Sequence, residues 1–169
     1  RVWASNFNLD FIFRPNINWG DISGAGQTAR WADGGMLFDG KGPACFPPED
    51  RSLEILALLN SHVAAEVMNL LNPTLNFLVG DVARIPLVDM DRPVVSALAK
   101  EAVDITRADW DGHETSWDFR GSPLTRNPEG QRLDAIVEQY LSNREVSRVR
   151  LSAIERELER AFGEAYGVQ

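Results

Sequence analysis

Pro73 ends any helix that precedes it, and the central stretch of the chain, residues 52–88, is arranged around that stop. Proline has no N–H to donate and biases Asn72 away from helical backbone angles. Ahead of it, Leu56, Leu59, Val63, Val67 and Leu70 recur at steps of three and four, the period of one amphipathic helix with one buried stripe. Beyond it, Phe77, Leu78 and Val79 read as a short buried strand. Gly80 and Asp81 then turn the chain, and residues 85–88, with Pro86 among them, form a second apolar extended piece. A helix feeding short extended pieces predicts a helix packed on a small sheet.

The first 48 residues supply more strands. Phe7, Leu9, Phe11 and Phe13 alternate with Asn8, Asp10 and Ile12, the period of a half-buried strand, and Arg14-Pro15-Asn16 breaks it. Residues 17–22 are a second extended piece, leading into the glycine-bearing loop 23–27. Residues 28–32 predict a third strand, Asp33-Gly34-Gly35 a hairpin turn, Met36-Leu37-Phe38 a fourth strand and residues 44–46 a last one. Gly24 and Gly26 lack the third glycine and the lysine-Ser/Thr pair of a phosphate cradle, so a surface loop is expected there.

Asp91-Arg92-Pro93 opens a helix with proline in its first turn, and its apolar face runs Val95, Leu98, Ala99, Ala102, Val103 and Ile105 to an end near Arg107. The next segment is acidic and aromatic. Asp109, Asp111 and Glu114 lack the remaining oxygen ligands and the twelfth-position glutamate of a calcium loop, so no metal is expected. Trp110, Trp117 and Phe119 are expected to pin this coil onto a hydrophobic surface. Asn127-Pro128-Glu129 starts the final helical region. Two apolar stripes follow, Leu133 to Leu141 and Leu151 to Ala165, compatible with one long helix or a helical hairpin. The expected fold class is α+β: a small, mostly antiparallel N-terminal β region (residues 1–90) packed on a central helix, then a helical C-terminal region (residues 91–169). One continuous domain is the alternative.

Several function classes fall away on composition. The lone Cys45, set among Pro43, Ala44, Phe46 and Pro47, excludes an internal disulfide, fits a reducing cytoplasm and reads as a buried, inert thiol. His62 and His113 have no partner at metal-ligand spacing. No run reaches the eighteen or so apolar residues of a membrane span, and no secretory pattern opens the chain, so a cytoplasmic protein without a membrane partner is expected. The start without Met and the stop just after a helix read as a piece cut from a longer chain. No Ser-His-Asp set or paired carboxylates support an independent hydrolase. The formal charge is −8, made of −3 up to Ile85 (six basic, nine acidic) and −5 after it (eleven basic, sixteen acidic). Nucleic-acid binding would therefore rest on a local patch or on charge supplied by a larger protein.

The wording of the central stretch carries a resemblance. Leu58-Leu59-Asn60-Ser61, then residues 71–77 (LNPTLNF), then residues 79–86 (VGDVARIP), resemble the C-terminal part of adenine-specific DNA methyltransferases of the BREX phage-defence type, the PglX-like group. Residues 108–111 with 114–119 resemble that group's "DWDSFETSWDF" segment, departing at Gly112 and His113. Trp19, Ile22 and Ser23 with Phe38, Asp39 and Gly42 look like its "TWS-ISS" and "FD-G" portions, and residues 151–169 resemble its "EEELNRIFIEIYGLQ" helix. More distantly, "LLNS" followed by "IP" occurs in TaqI-like and type I specificity domains.

The resemblance implies target recognition within a larger enzyme. Such enzymes hold a flipped adenine with an Asn-Pro-Pro-Tyr-type motif. Asn72-Pro73-Thr74-Leu75 lacks the second proline and the aromatic, so no catalytic residue is assigned. No cofactor is expected on this chain; S-adenosylmethionine belongs to the parent's catalytic domain. The chain itself is expected not to be an enzyme, whereas its parent is a site-specific adenine methyltransferase. Double-stranded DNA is the implied partner of the whole enzyme, with other phage-defence proteins as further partners. Base edges are read by polar side chains on protruding loops and phosphates by arginine. The residues suited to this are Arg14, Asn16, Asn18, Ser23, Gln27, Thr28 and Arg30, with Arg84 as a further phosphate contact. The rival is a module that docks a protein of the defence complex through its acidic surface, without touching DNA.

Overall fold

A computed structural model describes residues 8–24, 26, 28–125 and 132–168. The fold is α+β. Three short strands, β1 (Asn16–Asn18), β2 (Arg30–Ala32) and β3 (Ala44–Cys45), form one antiparallel sheet with β1 in the middle. Asn16, Ile17 and Asn18 face Ala32, Trp31 and Arg30 on one side, and Ile17 and Asn18 face Cys45 and Ala44 on the other. Side chains alternate across a pleat, so Asn18, Arg30 and Ala44 share one face of the sheet and Ile17, Trp31 and Cys45 the other. Ile17 is fully buried.

Helices α1 (Ser52–Leu59), α2 (His62–Leu71) and α3 (Val79–Val82) follow, then the long α4 (Arg92–Trp110) and α5 (Leu133–Tyr166). Two compact units emerge. One comprises residues 1–96 with 159–169, and the other residues 97–158. In the first, Leu56, Leu58, Leu59, Val63, Ala64, Met68, Phe77, Ile85 and Phe162 are buried with Ile17 and Trp19. Glu159 receives the His62 N–H on both carboxylate oxygens, at 2.9 and 3.1 Å, which places negative charge at the start of α2. The Tyr166 hydroxyl donates to the Pro86 carbonyl and ties the end of α5 to the extended piece after α3. In the second unit, Arg150 of α5 grips Glu101 of α4 through two nitrogens, each at 2.6 Å.

Several expectations need correction. The single central helix is two helices, because Asn60 and Ser61 interrupt it. The Ser61 hydroxyl accepts the Ala64 N–H at 3.2 Å, capping α2, and itself donates to the Leu58 carbonyl at 2.7 Å. The break changes the phase of the apolar stripe. Leu70, expected inside, is 85% exposed, while Ala64 and Met68 are buried. The strand expected between Phe7 and Phe13 is, over Leu9–Phe11, a 3-10 turn. There Phe11 packs on Phe46 at 4.9 Å between ring centroids, and Phe46 on Phe38 at 5.1 Å. A tilted ring contact, not strand pairing, accounts for Phe11, while Phe13 is exposed and Phe7 lies outside the described residues.

Asp33-Gly34-Gly35 turns the chain, but not into a fourth strand at residues 36–38. Instead the Gly35 N–H donates to the Phe13 carbonyl at 3.0 Å and the Phe13 N–H to the Met36 carbonyl at 3.2 Å. Gly34 holds φ +108°, and a Cβ there would stand 2.7 Å from the Phe13 oxygen, so only glycine fits.

Residues 77–79 are not a strand either, since Val79 begins α3. Phe77 is buried as expected, whereas Leu78 and Val79 are exposed. The nearest approach to a ladder is one antiparallel bridge between Ile22 and Asn76. Residues 85–88 form no strand. Helix α4 continues three residues beyond Arg107, to Trp110. The final apolar stripes lie on one 34-residue helix, α5, and not on a hairpin. The start expected at Asn127-Pro128-Glu129 falls outside the described residues.

The acidic-aromatic segment is not pinned by its tryptophans. Trp117 is 92% exposed and Trp110 56%. What orders the turn is polar: buried Ser116 donates to Asp111 at 2.6 Å and accepts the Asp118 N–H at 3.1 Å.

Candidate nucleic-acid interface

Of the residues expected to contact DNA, β1 and β2 bring Asn18 and Arg30 together. Because Asn18 and Arg30 are directly paired across the two strands, their side chains are neighbours on one sheet face. Arg30 is exposed, and its side chain makes no hydrogen bond or ion pair among the described residues. Arg14 is exposed too, and its guanidinium lies 5.2 Å from the centre of the Phe11 ring. Stacking on an aromatic face holds an arginine in place without consuming its five donors.

Asn16 does not belong to this set. It is 4% exposed, donates to the Arg14 carbonyl at 3.0 Å and accepts from the Asn18 amide at 3.3 Å. Its polar atoms fasten the bend at Arg14 and orient Asn18, leaving no edge for a base. Asn18, half-buried, spends one N–H on Asn16.

Ser23 is half-buried and its main-chain N–H donates to the Leu75 carbonyl at 3.0 Å; Thr28 is exposed. Gln27 lies outside the described residues. Arg84 follows α3, away from the strands in sequence, and sits 3.9 Å from the Asp81 carboxylate. It is not brought into the Asn18–Arg30 pair.

The loop between β1 and β2 is fastened at both ends. At the near end, the Phe77 N–H donates to the Asp21 carbonyl at 2.8 Å, alongside the Ser23–Leu75 bond and the Ile22–Asn76 bridge. Buried Trp19 donates its indole N–H to the Phe77 carbonyl at 2.8 Å. Asn72 caps the end of α2 and donates to Asp81 at 2.8 Å, while Thr74 donates to the Asn72 oxygen at 2.7 Å. Asn72 and Thr74 thus bend the 72–77 segment that receives the loop. At the far end, the Asn60 side chain accepts the Ala29 N–H and donates to the Ala29 carbonyl, both at 3.0 Å.

Asn60, Trp19 and Asn72 are therefore the site-forming residues that a search for loop polar groups misses. An asparagine directly before a Ser cap, inside an otherwise helical pattern, is the available signal for the first of them.

Local charge departs from the overall acidity. Lys41 donates to Asp21 at 2.7 Å, and that bond raises the Lys41 pKa. Asp21, the single acidic residue between Arg14 and Arg30, is thereby matched by a cation. The N–H groups of Gly42 and Lys41 converge on Asp39, both at 2.8 Å, and hold its carboxyl below the ordinary range. Burial pushes the half-buried Cys45 thiol up to about 11, so it is protonated and unreactive at neutral pH. Among the described residues no cluster of three metal-binding side chains occurs, and no helix is long and apolar enough to cross a membrane.

No family model matches the chain. Two curated proteins do. The adenine-specific methyltransferase PglX of Lacticaseibacillus casei is 34% identical over 174 aligned positions, covering the whole chain but 14% of that protein. The adenine-specific methyltransferase BrxX of Escherichia coli is 37% identical over 120 positions, covering 69% of the chain and 10% of that protein. The chain therefore spans only a small part of the length of the relatives it matches. By sequence it belongs to the PglX and BrxX group of adenine-specific methyltransferases, as a segment of such a protein.

Proposed function

We propose that this chain is the C-terminal target-recognition part of an adenine-specific DNA methyltransferase of the phage-defence type. In this reading it selects the DNA sequence, and another part of the parent protein binds S-adenosylmethionine and methylates a flipped adenine. The observation that carries the reading is the cross-strand pair of Asn18 and exposed, unengaged Arg30. An arginine with its fork free reads the O6 and N7 of guanine or grips a phosphate, and an asparagine beside it suits adenine. Arg14, Ser23 and Thr28 supply further polar contacts around the pair. Asn16 is withdrawn from base reading by its burial. The net charge of −8 fits a segment that depends on its parent for most of the phosphate contacts.

The test is made in the whole methyltransferase. Arg30→Ala and Asn18→Ala are expected to relax or change the set of methylated adenines, read by modification-sensitive sequencing of genomic DNA. An unchanged methylation pattern in both variants contradicts the assignment.

A second reading, docking of a protein of the defence complex, is favoured by Trp117. A tryptophan held in solvent by an ordered turn, flanked by exposed Glu114 and Asp118, is the composition of a contact anchor. It concerns the other compact unit and is compatible with DNA reading by the first.

A further inference from the structure

We infer that Asn60 is the positioning residue of the DNA-reading strand, setting Arg30 in register from the helix break behind it. This rests on the target-recognition reading above and goes beyond it, because Asn60 is placed on no loop and offers no atom to DNA in that reading.

The geometry is specific. The amide oxygen of Asn60 accepts the Ala29 N–H at 3.0 Å. One amide hydrogen goes to the Ala29 carbonyl at 3.0 Å and the other to the Leu56 carbonyl at 2.9 Å. The orientation of the amide is dictated by its partners, since an N–H needs an acceptor and two carbonyls need donors. The two bonds to Ala29 reproduce what a neighbouring strand would give that residue, where β2 has not yet begun. The third anchors the amide to the last turn of α1.

Arg30 is the next residue. With Ala29 buried and held on both main-chain groups, the backbone that launches the Arg30 side chain is fixed before DNA arrives. Ala29 itself carries no group to read a base. Neither Gln, with one more methylene, nor Ser, with one polar atom, can make the three bonds at once. Side-chain ordering is then the conformational cost that remains for Arg30 on binding. Asp21, Ile22 and Ser23 are fixed independently against residues 75–77, so loss of the Asn60 grip frees one end of the loop only.

The experiment is a double-mutant cycle on the 169-residue chain, with binding to a random-sequence duplex DNA pool at low salt as the readout. Asn60→Ala, Arg30→Ala and the double variant are compared with the parent chain, and amide exchange at Ala29 is followed in parallel. Asn60→Ala is expected to weaken binding about fivefold, the equivalent of one net hydrogen bond. It is expected to add almost nothing in the Arg30→Ala background and to speed exchange at Ala29. Equal weakening in both backgrounds marks a merely structural residue and overturns the inference. Tight binding by Asn60→Ala overturns it while leaving target recognition standing. Absence of binding by the parent chain overturns DNA holding by this chain and the inference with it. Should Asn60→Ala lose cooperative unfolding, Asn60→Asp, which keeps the acceptor for the Ala29 N–H, carries the same cycle.

Discussion

The indole N–H of Trp19 donates to the main-chain carbonyl of Phe77 at 2.8 Å, a buried bond between residues 58 apart in the chain. It fastens the end of β1 to the segment that leaves α2, and both residues are buried. Trp19→Phe fills most of the space but leaves the Phe77 oxygen without its donor. A loss of about 1–3 kcal/mol in urea unfolding is expected. A loss below about 0.5 kcal/mol would show that water reaches that carbonyl.

Gly34 and Gly24 make a controlled pair. Gly34→Ala meets both the +108° φ and the 2.7 Å approach to the Phe13 oxygen, and is expected to cost about 1–3 kcal/mol. Gly24 has no heavy atom within 4 Å of its Cβ position and no positive φ. Gly24→Ala is therefore expected to be neutral or slightly stabilising. Equal effects in thermal melts would contradict the turn geometry.

Trp117→Ala is expected to change stability by less than about 0.5 kcal/mol, because 92% of that side chain is already in water. Phe162→Ala, at a fully buried site, is expected to cost about 3–5 kcal/mol. A destabilisation from Trp117→Ala comparable to that from Phe162→Ala would restore the pinned segment that composition suggests.

The Glu101–Arg150 pair sets a pH dependence. Hydrogen bonding from Arg150 holds the Glu101 carboxyl below its ordinary 4.5. A carboxylate depressed in the folded state adds stability above its ordinary pKa and loses it as pH falls through the folded value. Glu101→Gln is thus expected to be less stable than the parent chain at pH 7, with the gap closing below about 4.5. The pair is open to water, so the gap is small and narrows with salt. A gap that persists in acid would point to packing, not charge.

The fold class, the antiparallel sheet and the stop at Pro73 were legible because each rests on a local rule. Pro73 cannot continue a helix, and the Asp33-Gly34-Gly35 turn closes the strand expected at residues 28–32, of which β2 forms residues 30–32. The Asn60–Ser61 break was not legible, because apolar spacing runs through it; the break is made by side-chain bonds to Ala29 and Leu58. The aromatic run at Phe11 and Phe13 alternates like a strand, yet Phe46 and Phe38 recruit Phe11 into a cluster. Of the residues expected to read DNA, Arg14, Thr28 and Arg30 are exposed and Asn18 is half-buried. Asn16 was lost to a hydrogen bond with the Arg14 carbonyl that spacing does not foretell. Trp117 failed for a related reason: its turn is ordered by Ser116 and Asp111, so the ring is not needed to hold it.

The decisive measurement is salt-dependent binding of the chain to duplex DNA, with and without Arg14→Ala and Arg30→Ala. Weak binding that falls as salt rises is expected. Each substitution should weaken it further and lower the slope against the logarithm of salt by about one unit. Binding that is absent at low salt, or that is indifferent to both substitutions, would contradict DNA reading by the β1–β2 face.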